Sequence, residues 1–201
     1  MKPNTEHASK SYLNMLFFMP LLCVLLAFLF STKSSFGQNN LRKAEKSFRD
    51  WSVFVSKDDP KMCFIASQSI KGEAFRNNQK LSSVNREKGT LYIIKIGNKD
   101  SEYEGTFYAG YPLQVGSKAV LEIDSKEKVV FFAHPSPKAK AEKDHAWAQK
   151  YDQKKLVDYL KKGSKAVISA ISHRNTVTKD TFMLTGFSDA LLELEKRCKL
   201  N

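Results

Sequence analysis

Beyond its apolar N-terminal run the chain holds two cysteines, Cys63 in "KMCFIAS" and Cys198 in "EKRCKLN", and three histidines, His134, His145 and His173. A cysteine does chemistry as a nucleophile, a metal ligand or half of a disulfide. The first role needs a thiolate beside a base, and the second needs further ligands at short spacing such as CxxC, which does not occur here. His145 in "KDHAW" follows Asp144, and His173 lies in "ISHRN". Folded together with a carboxylate, these two would make a general acid–base pair; scattered, they are ordinary surface or strand-end residues. "GYPLQVGSK" (110–118) places Ser117 between its second glycine and Lys118, so it fails the GxxxxGK phosphate-loop spacing and reads as a turn. Neither GxSxG nor HExxH occurs. The acids of "KDDP" (57–60) read as turn formers, because a paired-carboxylate site needs an apolar cleft to separate the two pKa values. No catalytic residue, metal ligand or cofactor is assigned.

The cysteines take their meaning from the N-terminus. Lys2 and Lys10 precede the apolar run Met15 to Phe30, and Ser35 and Gly37 supply small residues before Gln38. That order predicts a signal peptide over residues 1–37. The alternative is an uncleaved anchor, because a run of this length approaches what a bilayer requires. Leu22 stands before Cys23 where a lipoprotein needs a small residue, so lipidation is not expected. In an exported chain two remaining cysteines imply a Cys63–Cys198 disulfide.

The elements that must position these residues begin after a polar lead-in at 38–50, read as a linker or short helix. Residues 51–201 are long enough for one domain. "WSVFVSK" alternates with period two and "MCFIASQSI" returns after a turn, which predicts a hairpin. A polar connection follows, then short strands in "TLYIIKIG", "SEYEGTFYAGYPL", "SKAVLEID" and "KVVFFAHP". After a lysine-rich solvated stretch (135–150), "DQKKLVDYLKKG" predicts a helix capped by Asp152 and ended by Gly163, with Leu156, Val157 and Leu160 inward. "KAVISAIS" and "TFMLTGF" (181–187) read as strands, and "SDALLELEKRC" as a closing helix with Ser188 as N-cap and Leu191, Leu192 and Leu194 apolar. The expected fold is mainly β (α+β), an antiparallel sandwich or flattened barrel with one or two short helices from the C-terminal half packed on it.

The chain carries a net charge of +12. Removing residues 1–37 leaves the domain strongly basic, which favours anionic partners such as lipid headgroups, lipopolysaccharide or glycan. Export argues against nucleic acid. Arginine occurs only at positions 42, 49, 76, 86, 174 and 197, and lysine supplies the rest of the 33 basic residues. Lysine acts as a hydrated point charge rather than a shape-specific fork. The charge therefore reads as a diffuse field, densest at Lys138, Lys140, Lys143, Lys154, Lys155, Lys161 and Lys162. A solvated helix face is the plainer reading of these lysines. Oligomeric state is not legible.

The series Trp51 and Val53, "KMCFIAS", "GYPL" followed by Gly116, Ala146 and Trp147, "LVDYLKKG", "DTFMLTGFSDAL" (180–191) and Cys198 resembles the invasion-associated locus B family of alphaproteobacteria. The resemblance spans Trp51 to Cys198. It implies an exported envelope protein, periplasmic or outer-membrane associated, of a family named for host-cell entry; envelope maintenance is an equal expectation. Its residues are structural types, with Trp51, Trp147, Gly110, Gly163 and Gly186 as candidate anchors, and it carries over no catalytic residue, cofactor or substrate. The leading expectation is a non-enzymatic domain that binds an envelope or cell-surface component. The alternatives are a small periplasmic enzyme using His145 or His173 with a nearby acid, and a domain tethered to the inner membrane, facing the periplasm.

Overall fold

The computed structural model describes residues 44–55, 62–96, 103–135 and 142–198. The signal-peptide reading, the "KDDP" turn, Lys138 and Lys140 lie outside the described residues. The described strands are β1 (Lys46–Phe48), β2 (Trp51–Val55), β3 (Met62–Gln68), β4 (Lys71–Arg76), β5 (Gln79–Lys80), β6 (Thr90–Ile96), β7 (Tyr103–Tyr108), β8 (Lys118–Ile123), β9 (Glu127–Ala133), β10 (His145–Ala148), β11 (Lys165–Ile171) and β12 (Val177–Met183). Two helices, α1 (Gln153–Lys162) and α2 (Phe187–Arg197), lie in the C-terminal half.

All twelve strands form one sheet, in the order β1-β2-β3-β6-β7-β10-β9-β8-β11-β12-β4-β5, and every pairing is antiparallel. The expected mainly β fold with one or two helices is what the chain adopts, with both helices present, and the choice between sandwich and barrel resolves as a single curled sheet that does not close. The curl comes from one continuous segment. β3 pairs with β2 and β6; then the Ser69 amide bonds the Gly89 carbonyl, the Ile70 amide bonds the Thr181 carbonyl, and the chain continues as β4 beside β12.

Strict alternation determines which side is inside. Trp51, Val53, Cys63, Ile65, Leu91, Ile93, Phe107, Leu121, Phe131, Ile168 and Phe182 are buried, and the helices add Leu156, Leu160, Phe187, Leu191 and Leu194 to the same core. Trp51 is fully buried, donates from Nε1 to the Met183 carbonyl at 3.2 Å and meets the Phe187 ring edge-on at 4.9 Å. At the floor of α1, a Cβ on Gly105 would lie 2.3 Å from Leu156 Cδ2. Buried Gln153 accepts from the Gly105 amide at 2.7 Å and donates to the Ala148 carbonyl at 2.7 Å, tying α1 to β7 and β10.

Several local expectations give way. The lead-in contains strand β1, because pairing Lys46–Phe48 with β2 satisfies backbone groups that a linker would leave to water. The polar connection before β6 holds β4 and β5, whose pattern is obscured because β4 buries only Ala74 and both residues of β5 are exposed. The lysine-rich 135–150 stretch contains β10, where Ala146 and Ala148 face the core. β12 begins at Val177, earlier than expected. Helix α2 starts at Phe187 with Gly186 at the N-cap and no side-chain cap. Gly186 has φ +91°, and a Cβ there would meet the Phe48 carbonyl oxygen at 2.0 Å, so glycine is required. Asp152 occupies the N-cap of α1 without a side-chain cap bond. Leu192 is 68% exposed, since it points about 100° away from the Phe187–Ala190–Leu191–Leu194 stripe. Gly163 ends α1 in extended backbone, and its missing Cβ makes room for Ile123 and Leu184.

Candidate functional site

Cys63 on β3 and Cys198 at the end of α2 are both buried and lie at disulfide distance, with Cα atoms 6.1 Å apart. The same helix end is held by polar contacts: Tyr103 donates its hydroxyl to Glu195, Arg197 donates to Glu193 at 2.6 Å, and Lys46 pairs with Glu193 at 3.5 Å. Burial and then Glu195 push the Tyr103 phenol upward, so it stays a donor.

Helix α1 divides cleanly into two faces. Gln153, Leu156, Val157 and Leu160 point into the curl of the sheet, and Lys154, Lys155, Lys161 and Lys162 are exposed. None of these four lysines forms a salt bridge among the described residues, whereas Lys71, Lys80 and Lys128 do. Asp158 is exposed on the same helix, and Asp152 stands at its N-cap. Lys143 is also exposed, just before β10.

The outer face of β3, β6, β7 and β10 forms a groove of about 300 Å³, lined by Met62, Phe64, Tyr92, Ile94, His145 and Trp147 among others. Phe64 stacks on Phe54 at 4.8 Å and meets Tyr92 edge-on at 5.9 Å, extending the aromatic strip onto β2. Trp147, expected as an anchor, is half-buried on this outer face, while Trp51 is in the core. Whether His145 and His173 meet is open in the sequence; in the structure His145 joins a different grouping. His145 Nδ1 bonds Asp144 Oδ1 at 2.7 Å, its ring lies 6.1 Å from Trp147, and His134 approaches the same indole at 6.4 Å. His173 sits on the β11–β12 turn, its Nδ1 donating to the Pro112 carbonyl at 3.1 Å. The reason is register: β10 pairs Ala146 with Ala133, which brings the end of β9 and therefore His134 alongside.

His145 with Asp144 is an imidazole held by a carboxylate, two parts of an acid–base arrangement. The neighbouring hydroxyls are already committed to carboxylates, Tyr108 to Glu87 at 2.5 Å and Thr106 to Glu104 at 3.3 Å. Burial and then Glu87 push the Tyr108 phenol upward, so it keeps its proton. Among the described residues no group of three or more His, Cys, Asp or Glu is arranged to hold a metal ion. An aromatic floor with a His–Asp edge suits stacking and hydrogen bonding to a polar ring.

Fold and surface together define a class: a one-sheet antiparallel β domain with its closing helix tied back to the sheet by a cysteine pair, and with a lysine-covered second helix. Residues 51–195 match the family described as Invasion associated locus B (IalB) protein, and the chain belongs to that family. The crystal structure of invasion associated protein B from Bartonella henselae is similar with a TM-score of 0.51 at 16% sequence identity, covering 76% of this chain and 96% of that one. At that identity the likeness speaks for the fold. Among curated protein sequences none matches.

Proposed function

We propose that this is an exported, non-enzymatic envelope protein, periplasmic or outer-membrane associated, that binds an anionic envelope or cell-surface component through the lysine face of α1. The observation that carries this reading is the set Lys154, Lys155, Lys161 and Lys162, exposed on one helix and without a carboxylate bridge among the described residues. Lipid headgroups, lipopolysaccharide and acidic glycans present the matching charge. The cysteine pair and the apolar N-terminal run support export. A lysine beside an anionic surface contributes about 1 kcal/mol, so substituting all four by glutamine should weaken binding to phosphatidylglycerol vesicles by well over tenfold. Cosedimentation across a salt series is the test: binding should fall steeply with salt, and salt-independent binding or an unaffected quadruple variant refutes the proposal. The mass of the protein recovered from envelopes tests its address, because a product starting at Met1 indicates a tethered domain.

The His145–Asp144 bond favours a second reading, a small periplasmic hydrolase or transferase. Turnover of an envelope ester or glycan that disappears in His145→Ala, with vesicle binding retained, would establish it in place of the first.

A further inference from the structure

Only six arginines occur in the chain, and three of them, Arg76, Arg86 and Arg174, line one cavity of about 550 Å³. They come from β4, from the segment before β6 and from the β11–β12 turn. Among the described residues no Asp or Glu lines the cavity.

The three arginines play different parts. Arg86 is structural: its side chain is 8% exposed, it bonds fully buried Asp180 at 2.6 Å, and it donates to the Ala109 carbonyl at 3.1 Å. Its guanidinium lies 5.6 Å from the Tyr111 ring centre, and the Tyr111 hydroxyl bonds Thr178 at 2.5 Å, which builds the floor. Gly110 brings this floor together. Its φ is +74°, and a Cβ would lie 2.5 Å from the Glu87 carbonyl oxygen, so only glycine lets the 86–87 segment pass so closely. Asp180 cancels the charge of Arg86.

Arg76 and Arg174 are exposed, and neither is paired with a carboxylate among the described residues. Arg76 donates to the neutral Thr176 hydroxyl at 2.8 and 3.3 Å. Arg174 sits on a turn whose shape is already set, because Ser172 Oγ accepts from the amides of Arg174 at 3.2 Å and Thr176 at 3.1 Å. Two fork-shaped cations therefore stand on a rigid frame at the mouth of a small-molecule-sized cavity, with His173 on the same turn. Leu81, Val84 and Pro112 give it an apolar wall.

We propose that this cavity is a binding site for a single oxyanion, a phosphate monoester or carboxylate carried on a sugar-sized body, with Arg76 and Arg174 gripping the anion. The frame already satisfies Arg86, and guanidinium forks match an oxyanion where the lysines of α1 do not. The site is built from elements other than α1, so it stands or falls independently of the lysine face.

Calorimetric titration of the oxidised protein with glucose 6-phosphate, glucuronate, inorganic phosphate and glucose tests this. Saturable one-to-one binding of the two anionic sugars, with none for glucose, is expected. Losing one charged bond pair should weaken it at least about tenfold in Arg76→Gln and in Arg174→Gln. Arg76→Lys should weaken it too, because the charge remains while the fork is lost. The four-lysine variant should bind the free ligands as wild type does. Melting curves confirm folding, since both arginines are exposed. Absence of saturation by any free anion, wild-type affinity in Arg76→Lys or Arg174→Gln, or a loss shared by the lysine variant overturns the proposal. Phosphatidylglycerol vesicles that bind through these arginines while free sugar anions do not would also overturn it, by placing the ligand outside the cavity.

Discussion

Removing the Cys63–Cys198 link offers the sharpest test of how the domain is held together. The two cysteines are 135 residues apart, so a Cys63→Ala/Cys198→Ala variant frees a very long loop in the unfolded chain. The chain-entropy relation gives about 17 cal/mol/K for a loop of that length, or about 5 kcal/mol at 25 °C. The folded state keeps Phe187, Leu191 and Leu194 buried under α2, and three such side chains contribute roughly 5–8 kcal/mol. The variant should therefore fold, with an unchanged far-UV spectrum. For a domain of this size 1 kcal/mol corresponds to about 2–4 °C, so the melting temperature should drop by about 10–20 °C. Differential scanning calorimetry of the variant, and of wild type with and without reductant, measures this directly. A drop below about 4 °C, or coincident melts for oxidised and reduced wild type, refutes the reasoning. Hydrogen exchange adds a second check. If the α2 amides alone lose protection while the global transition stays put, the link acts as a local staple and the loop argument is wrong.

Replacing Gln153 by the similarly sized methionine leaves the Gly105 amide and the Ala148 carbonyl buried without partners. At about 1–3 kcal/mol for each orphaned group, urea denaturation should show a loss of about 2–5 kcal/mol, and a loss under 1 kcal/mol would mean water takes over both bonds. Stability should also fall in acid. The Ser164 and Lys165 amides hold Asp124 below the usual carboxylate range, Lys80 and Lys71 do the same for Glu73, and Arg197 does so for Glu193. A carboxylate lowered in the folded state contributes stability that is complete above its unfolded pKa and is lost as pH falls through the folded value. The decline should begin below about pH 4.5, and Asp124→Asn with Glu73→Gln should flatten it; an equally steep acid limb in the double variant would assign the loss to other groups.

Much of the architecture was legible along the chain because it is written in neighbouring residues. Period two in "WSVFVSK" and "KVVFFAHP" and the apolar stripe of "KKLVDYL" each report which side of an element is buried. The closing helix was legible as an element but not in its cap, because Gly186 is chosen by the Phe48 carbonyl, a neighbour far away in sequence. β4, β5 and β10 were hidden for a related reason: their residues are mostly polar or small, and what makes them strands is the partner beside them. Trp51 and Trp147 looked alike in the sequence, yet one is core and the other lies on the outer face, and only the side of the sheet separates them.

By itself the sequence determined an antiparallel β domain with two late helices, a strongly basic balance dominated by lysine, and a pair of cysteines suited to one bridge. The tertiary structure decided which polar groups meet. Arg86 finds Asp180 across 94 positions and Arg76 finds Thr176 across 100, while His145 is set beside His134 rather than His173. Such meetings depend on strand register and on the bend that carries β3 into β4, and a shift of one residue would turn every side chain to the opposite face. Local pattern encodes which face is buried; only the full set of pairings encodes what stands next to what.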